Sequence, residues 1–302
     1  GKRLSVEGVG GYTSADSPFE SDMENSLDTS VPDFSVVVPV RNEADNISPL
    51  IAELKTVMTA LQPYEIVIVD DGSDDATPEV LRDQARACPE LRVIRHRSSV
   101  GQSAAITTGV NEARAGIIIT LDGDGQNDPA DIPALLDRFR EADNPDLLLV
   151  TGERQKRRDS LLKRLSSRVA NAIRGTLLGD HTPDTGCGLK VFSRPAYLAM
   201  PGFDHMHRFL PALMLRQGGH VLSVPVNHRA RQHGATKYGV FDRLGVGIVD
   251  LFGVMWLQRR PGTPVPGNAE GSGFIDRLGA RWLKRRAVAP EIDQGAGEEA
   301  GS

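Results

Sequence analysis

Gly116-Ile117-Ile118-Ile119-Thr120-Leu121-Asp122-Gly123-Asp124-Gly125-Gln126 is the stretch from which the rest of this chain is read. Its β-branched and apolar run ends abruptly in acid and glycine, the pattern of a buried strand that delivers two carboxylates to the C-terminal edge of a sheet. Ligands of open α/β sheets bind outside that edge. Carboxylates at i and i+2 can turn toward one hard cation, and the glycine between them lets backbone approach a phosphate-bearing ligand. Two readings follow. One is a Mg²⁺ or Mn²⁺ clamp for a nucleotide diphosphate; the other is an acidic turn capping a strand, since Asp and Gly are ordinary turn residues.

The flanking sequence favours the clamp. Upstream, residues 34–40 form a continuous apolar run suited to a central parallel strand, followed by turn and cap residues at 41–46. Ile47, Leu50, Ile51, Leu54, Val57, Met58 and Leu61 then recur at helical spacing. Residues 65–69 read as a second strand ending in Asp70-Asp71-Gly72-Ser73, and the helix after it carries Val80, Leu81, Ala85 and Ala87. A short strand at 91–94, a helix at 101–114, a helix at 131–141 and a strand at 147–150 complete the alternation. Such spacing predicts an α/β fold with a doubly wound, mostly parallel sheet and helices on both faces. Three strands then end at one edge in polar clusters: Asn42-Glu43, Asp70-Asp71, and Asp122 with Asp124. One such cluster is a cap or turn; three on one edge are better explained by a shared ligand.

Residues 152–178 are basic and helix-prone, and most of their charges read as a solvated face. Arg154 differs because it falls just past a strand end on the site edge. Asp184-Thr185-Gly186-Cys187-Gly188-Leu189-Lys190 opens a second region, with a helix at 209–215 and a strand at 220–226. His228, Arg229, Arg231, His233 and Lys237 then crowd a loop around Gly234, a cationic arrangement suited to anionic oxygens. Two closing segments, 240–257 and 273–287, are amphipathic, with Trp256 and Trp282 beside arginines. Each suits either a bilayer surface or the protein's own core. The organisation expected is an acidic disordered tail over 1–32, a main α/β domain over 33–237 and an amphipathic helix over 238–260. A linker, a basic amphipathic helix and a disordered tail fill 261–302.

Composition narrows the class. The 302 residues carry a net charge of −5, which argues against a nucleic-acid binder. Cys88 and Cys187 lack metal-ligand spacing and fit unpaired thiols in a reducing compartment. No run reaches the roughly 18 apolar residues of a membrane span, and the N-terminus does not resemble a signal peptide. These features place the chain in the cytoplasm, peripheral on the inner face of a membrane if its amphipathic helices bind lipid; a homo-oligomer stays open.

At this point the motifs carry a resemblance. Val36-Val37-Val38-Pro39-Val40-Arg41-Asn42-Glu43, Val69-Asp70-Asp71-Gly72-Ser73 and Leu121-Asp122-Gly123-Asp124-Gly125-Gln126-Asn127-Asp128-Pro129 resemble the successive signatures of family 2 glycosyltransferases with the GT-A fold. Gly101-Gln102-Ser103-Ala104-Ala105, Asp184-Thr185-Gly186-Cys187-Gly188 and the loop at 228–238 are similar to the group of dolichyl-phosphate mannose synthase and undecaprenyl-phosphate glycosyltransferases. The resemblance implies that Pro39, Asn42, Glu43 and Asp71 line the pocket for the donor's base and ribose. It sets Asp122 and Asp124 at the diphosphate, with Asp124 and Gln126 on Mg²⁺ or Mn²⁺, and matches Arg154 to an arginine after the fifth strand. Arg229, Arg231 and Lys237 match a loop that closes over donor and acceptor phosphates. Arg41 departs from the pattern, standing where many relatives have an aromatic residue.

The activity so implied is inverting transfer of one sugar from a UDP- or GDP-sugar to a polyprenyl phosphate at a membrane surface, feeding cell-envelope glycan synthesis. A hydroxyl acceptor is the alternative within enzymes, with Asp184 as its base. A non-catalytic nucleotide-sugar-binding module is the alternative outside them. Chain-elongating synthases carry Gln-x-x-Arg-Trp, and here Leu278 stands where Gln is needed before Arg281-Trp282. A dinucleotide oxidoreductase is disfavoured because no Gly-x-Gly-x-x-Gly follows the first strand.

Overall fold

The computed structural model describes residues 31–155, 174–230 and 240–260. Arg231, Lys237, nearly all of the acidic tail, the arginine-rich stretch 156–173 and the segment 261–302 lie outside the described residues. Seven strands form one sheet: β1 (Phe34–Val40), β2 (Tyr64–Asp70), β3 (Leu91–Arg95), β4 (Ile117–Thr120), β5 (Leu148–Arg154), β6 (Lys190–Ser193) and β7 (His220–Val226). Their order is β3-β2-β1-β4-β6-β5-β7. The apolar runs at 34–40 and 64–70 are buried along nearly their whole length, as central strands covered on both faces must be.

All neighbours pair in parallel except β6, which runs antiparallel to both β4 and β5. Because β6 reverses direction between them, β4 and β5 point the same way. The C-terminal ends of β1, β2, β4, β5 and β7 therefore share one edge, and β6 begins there. Sequence reading did not isolate β6, whose four residues Lys190-Val191-Phe192-Ser193 are too short to show a period and open on a charge. β5 also runs further than the expected 147–150 and includes Arg154 as its last residue.

Helices cover both faces. One face packs against α1 (Ala44–Met58), α2 (Thr77–Ala87) and α4 (Ile132–Arg140), through Ile47, Leu54, Leu81 and Leu135, all fully buried. The other packs against α3 (Gln102–Glu112), α5 (Arg194–Leu198), α6 (Leu210–Arg216) and α7 (Val240–Gln258). This is the GT-A arrangement.

α7 packs one of its faces on the protein's own core. Val254 is buried in the second core, with Leu251 and Met255 packed against it. Its C-terminal turn is fixed where Arg216 donates to the carbonyls of Leu257 and Arg260, and where Gln258 donates to those of Leu178 and Ala212. The opposite face presents Ile248, Val249, Phe252 and Trp256, each 50 % or more exposed. Among the described residues no helix is long and apolar enough to cross a membrane.

Candidate functional site

At the end of β2, Asp71 is buried and accepts four hydrogen bonds. His96 Nδ1 (2.8 Å) and the Val100 amide (2.9 Å) reach Oδ1, while Ser99 Oγ (2.7 Å) and the Gly101 amide (2.9 Å) reach Oδ2. Burial alone would raise this carboxyl's pKa, but these donors override it and hold it below the usual range. The loop at 96–101 is thereby drawn onto the strand end. Gly72, at φ +66°, makes the contact possible, since a Cβ there would lie 2.6 Å from the Ser98 carbonyl carbon. Asn42, at φ 53°, is engaged similarly: its amide donates to Ser73 Oγ and its side chain exchanges two hydrogen bonds with Asp74. The Glu43 amide donates to Thr77 Oγ1, and its buried carboxylate accepts from Asn46 Nδ2. Asn42, Glu43 and Asp71 thus interlock the ends of β1 and β2 into a wall, with Pro39 one turn of the pleat below it in β1.

The end of β4 is different. Among the described residues a single hydrogen bond, from Gln102 Nε2 at 2.8 Å, reaches the Asp122 carboxylate. The Asp122 amide donates to Asn127 Oδ1, and Asp124 Oδ1 accepts from the Gln126 amide. The Asp122 carboxylate rests on Gly188, where a Cβ would lie 2.2 Å from Oδ2, so only glycine admits this approach. Burial and the neighbouring Asp124 charge push the Asp122 pKa up to about 6, more than Lys190, Arg154 and Gln102 offset. The Asp122 carboxylate is short of positive charge.

Beside it, Arg154 and Asp184 grip each other. Nε lies 2.6 Å from Oδ2 and Nη2 2.7 Å from Oδ1, the two-pronged geometry of a strong charge-assisted pair. Burial opposes the Arg154 charge, but Asp184 raises its pKa further. Lys190, which opens β6, is buried and donates to the Cys187 carbonyl, and its burial lowers its pKa. Behind it His207 is hydrogen-bonded through Nδ1 to Ser103 Oγ at 2.7 Å. Burial, then the Lys190 and Arg208 charges, push its pKa down to about 3. Sequence reading passed over Lys190 and His207; a lysine inside an apolar run was the available signal for the first.

From the end of β7, Arg229 reaches back across the edge. Nη1 lies 2.7 Å from Glu53 Oε2 on α1 and Nη2 2.7 Å from Asp128 Oδ1. The structure therefore brings Pro39, Asn42, Glu43, Asp71, Asp122, Asp124, Gln126, Arg154, Asp184 and Arg229 to one edge. Asp71, Asp184 and Arg229 spend their charge on partners within the protein.

Among the described residues no group of three or more His, Cys, Asp or Glu could hold a metal ion. Mg²⁺ nonetheless binds through one or two carboxylates completed by substrate phosphates. Asp122 and Asp124, with the charge deficit seen at Asp122, fit that mode.

Comparison with known proteins identifies the family and the fold. A family model described as glycosyl transferase family 2 matches residues 35–199. The chain is 36% identical over 238 residues to a dodecaprenyl-phosphate galacturonate synthase of Rhizobium johnstonii, covering 76% of this chain and 69% of that protein. It is 36% identical over 215 residues to an undecaprenyl-phosphate 4-deoxy-4-formamido-L-arabinose transferase of Edwardsiella ictaluri, covering 70% of this chain and 65% of that one. The chain thus spans about two thirds of the length of these relatives. In fold it is similar to a mannosyltransferase from Pyrobaculum calidifontis solved with GDP-mannose and Mn²⁺, with a TM-score of 0.54, 18% identity, and coverage of 90% of this chain and 81% of that one.

Proposed function

Because the chain belongs to glycosyl transferase family 2, we propose that it transfers a single sugar, with inversion, from a nucleotide-diphospho-sugar to a polyprenyl phosphate. The observation that carries this reading is the under-neutralised Asp122 carboxylate, beside Asp124, at an edge where Arg154 and the β7 extension also converge. In the reaction the anomeric carbon leaves the diphosphate oxygen and bonds to a phosphate oxygen of the acceptor. Asp124 and Gln126, with Asp122 beside them, would hold Mg²⁺ or Mn²⁺, whose charge, when bound, stabilises the leaving diphosphate. Gln102 orients the Asp122 carboxylate, and the wall of Asn42, Glu43 and Asp71 bounds the donor's nucleoside.

The acceptor class follows from proton accounting. A hydroxyl must lose a proton as it attacks, whereas a phosphate monoester has a second pKa of about 6 and is already mostly dianionic at neutral pH. Asp184, the candidate base, is held on both oxygens by Arg154. That pairing favours an acceptor needing no base. The experiment is incubation of the protein with Mn²⁺, labelled UDP- and GDP-sugars and a short polyprenyl phosphate; absence of any lipid-linked sugar across donors would remove the acceptor assignment.

A lipid acceptor also gives α7 a partner. Its outer face of Ile248, Val249, Phe252 and Trp256, ending in exposed Arg259 and Arg260, suits the surface of an anionic bilayer. Co-sedimentation with anionic vesicles should fall in the double variant Phe252→Ser, Trp256→Ser, and unchanged binding would assign that face elsewhere.

A further inference from the structure

The resemblance assigns Arg229 to the phosphates, but its contacts lie elsewhere. The turn that carries Asp124 and Gln126 leaves β4 and receives its outside support from the extension of β7. Asn127 and His228 form an antiparallel bridge, and the Arg229 amide donates to the Gln126 carbonyl at 3.0 Å. Gln126 Nε2 returns a longer hydrogen bond to the Arg229 carbonyl at 3.4 Å. The guanidinium then joins Asp128, on the far side of the turn, to Glu53 of α1. Two carboxylates flank the cation, and together they raise its pKa against the effect of burial.

We infer that Arg229 is a positioning residue: it clamps the Asp124–Asp128 turn to α1 and so fixes where Asp124 and Gln126 stand. A guanidinium is planar and offers separate N–H groups to two acceptors at fixed angles. A lysine ammonium at the same place is a point charge that would neutralise one carboxylate without bracing both. Glu53 is the informative partner, because it belongs to α1 rather than to the turn, and among the described residues its ion pair is with Arg229.

This inference rests on the cation site proposed above, and two measurements separate the failure of one from the failure of the other. Free Mn²⁺ is titrated by electron paramagnetic resonance in the presence of UDP or GDP, for the wild-type chain, Arg229→Lys, Arg229→Met and Glu53→Gln, alongside thermal melts. Arg229→Met and Arg229→Lys should each weaken Mn²⁺ binding about tenfold, and Glu53→Gln about threefold, with melting temperatures near that of the wild type. Unchanged Mn²⁺ affinity in Arg229→Met overturns the clamp, whatever happens to the melt. Wild-type affinity in Arg229→Lys, or in Glu53→Gln alone, also overturns it, since the arginine would then act by charge on the ligand. Should the wild-type chain bind no Mn²⁺ with either nucleotide, the cation site itself fails. Hydrogen exchange still decides the clamp in that case: the amides of residues 125–127 should exchange faster in Glu53→Gln, and equal rates refute it.

Discussion

Asp71 and Asp122 stand at the ends of β2 and β4, the strands on either side of β1, and leave the sheet at the same edge. Asp71 accepts four hydrogen bonds, two from backbone amides, and its pKa is held low. Among the described residues Asp122 accepts one, from Gln102; it lies by Asp124, and its pKa is pushed up to about 6. Both follow the same sequence logic of an apolar strand running into acid and glycine. What separates them is the supply of donors. A carboxylate the protein satisfies by itself builds the site, and a carboxylate it leaves short of positive charge is one that a ligand must complete.

The largest effect expected from this contrast is at the end of β4. Asp124→Ala should lower turnover about 10³-fold while the circular dichroism spectrum stays native, because it removes a group aimed at charge that develops in the reaction. Full activity would mean that the acidic turn is a strand cap after all.

Next in size is the satisfied end. Asp71→Ala orphans two backbone amides and two side-chain donors around the 96–101 loop, and should cost about 3 kcal/mol of stability. Asp122→Asn in the absence of divalent ions should cost nothing or stabilise, since it removes a charge held at a raised pKa. Urea midpoints of the two variants give the comparison directly, and equal losses would erase the distinction drawn between them.

The alternation of strands and helices, and the edge at which the acids gather, were legible because each is a local pattern: Ile47, Leu50, Ile51 and Leu54 declare a helix face, and residues 117–121 declare a strand. Partnership was not legible. Arg229 and Glu53 are 176 positions apart, and Arg154 and Asp184 are 30 apart with β6 yet to be placed. Residue type announces a charge, but only the packed fold decides whether that charge is used up inside the protein or offered to a substrate. The same reason hid β6, which is a strand because β4 and β5 flank it rather than because its own four residues insist on it.

The smallest effect lies at the opposite edge, where a third buried acid extends the contrast. Glu65, near the start of β2, is fully buried and receives Ser35 Oγ at 2.6 Å, the Arg114 amide at 2.6 Å, Arg114 Nε at 2.9 Å and Arg92 Nη1 at 3.1 Å. Burial would raise its pKa, but these hydrogen bonds override it and hold it below the ordinary carboxylate value. An acid whose pKa is lower in the folded than in the unfolded chain stabilises the fold above its unfolded pKa, and that contribution disappears as pH falls through the folded pKa. Asp122 has the opposite sign: its raised pKa means that stability increases as pH falls through about 6. Glu65→Gln should cost about 2 kcal/mol at pH 7, because the half-exposed Arg114 and the partly exposed Arg92 can recover water once the charge is gone. It should leave turnover untouched and flatten the fall in urea midpoint below pH 4.5, whereas Asp122→Asn should flatten the rise on the way down from neutral pH. If wild type and Glu65→Gln lose stability in parallel below pH 4.5, Glu65 is not the acid-labile pin of this edge. The opposition between saturated and unsaturated carboxylates would then be confined to the edge that carries the site.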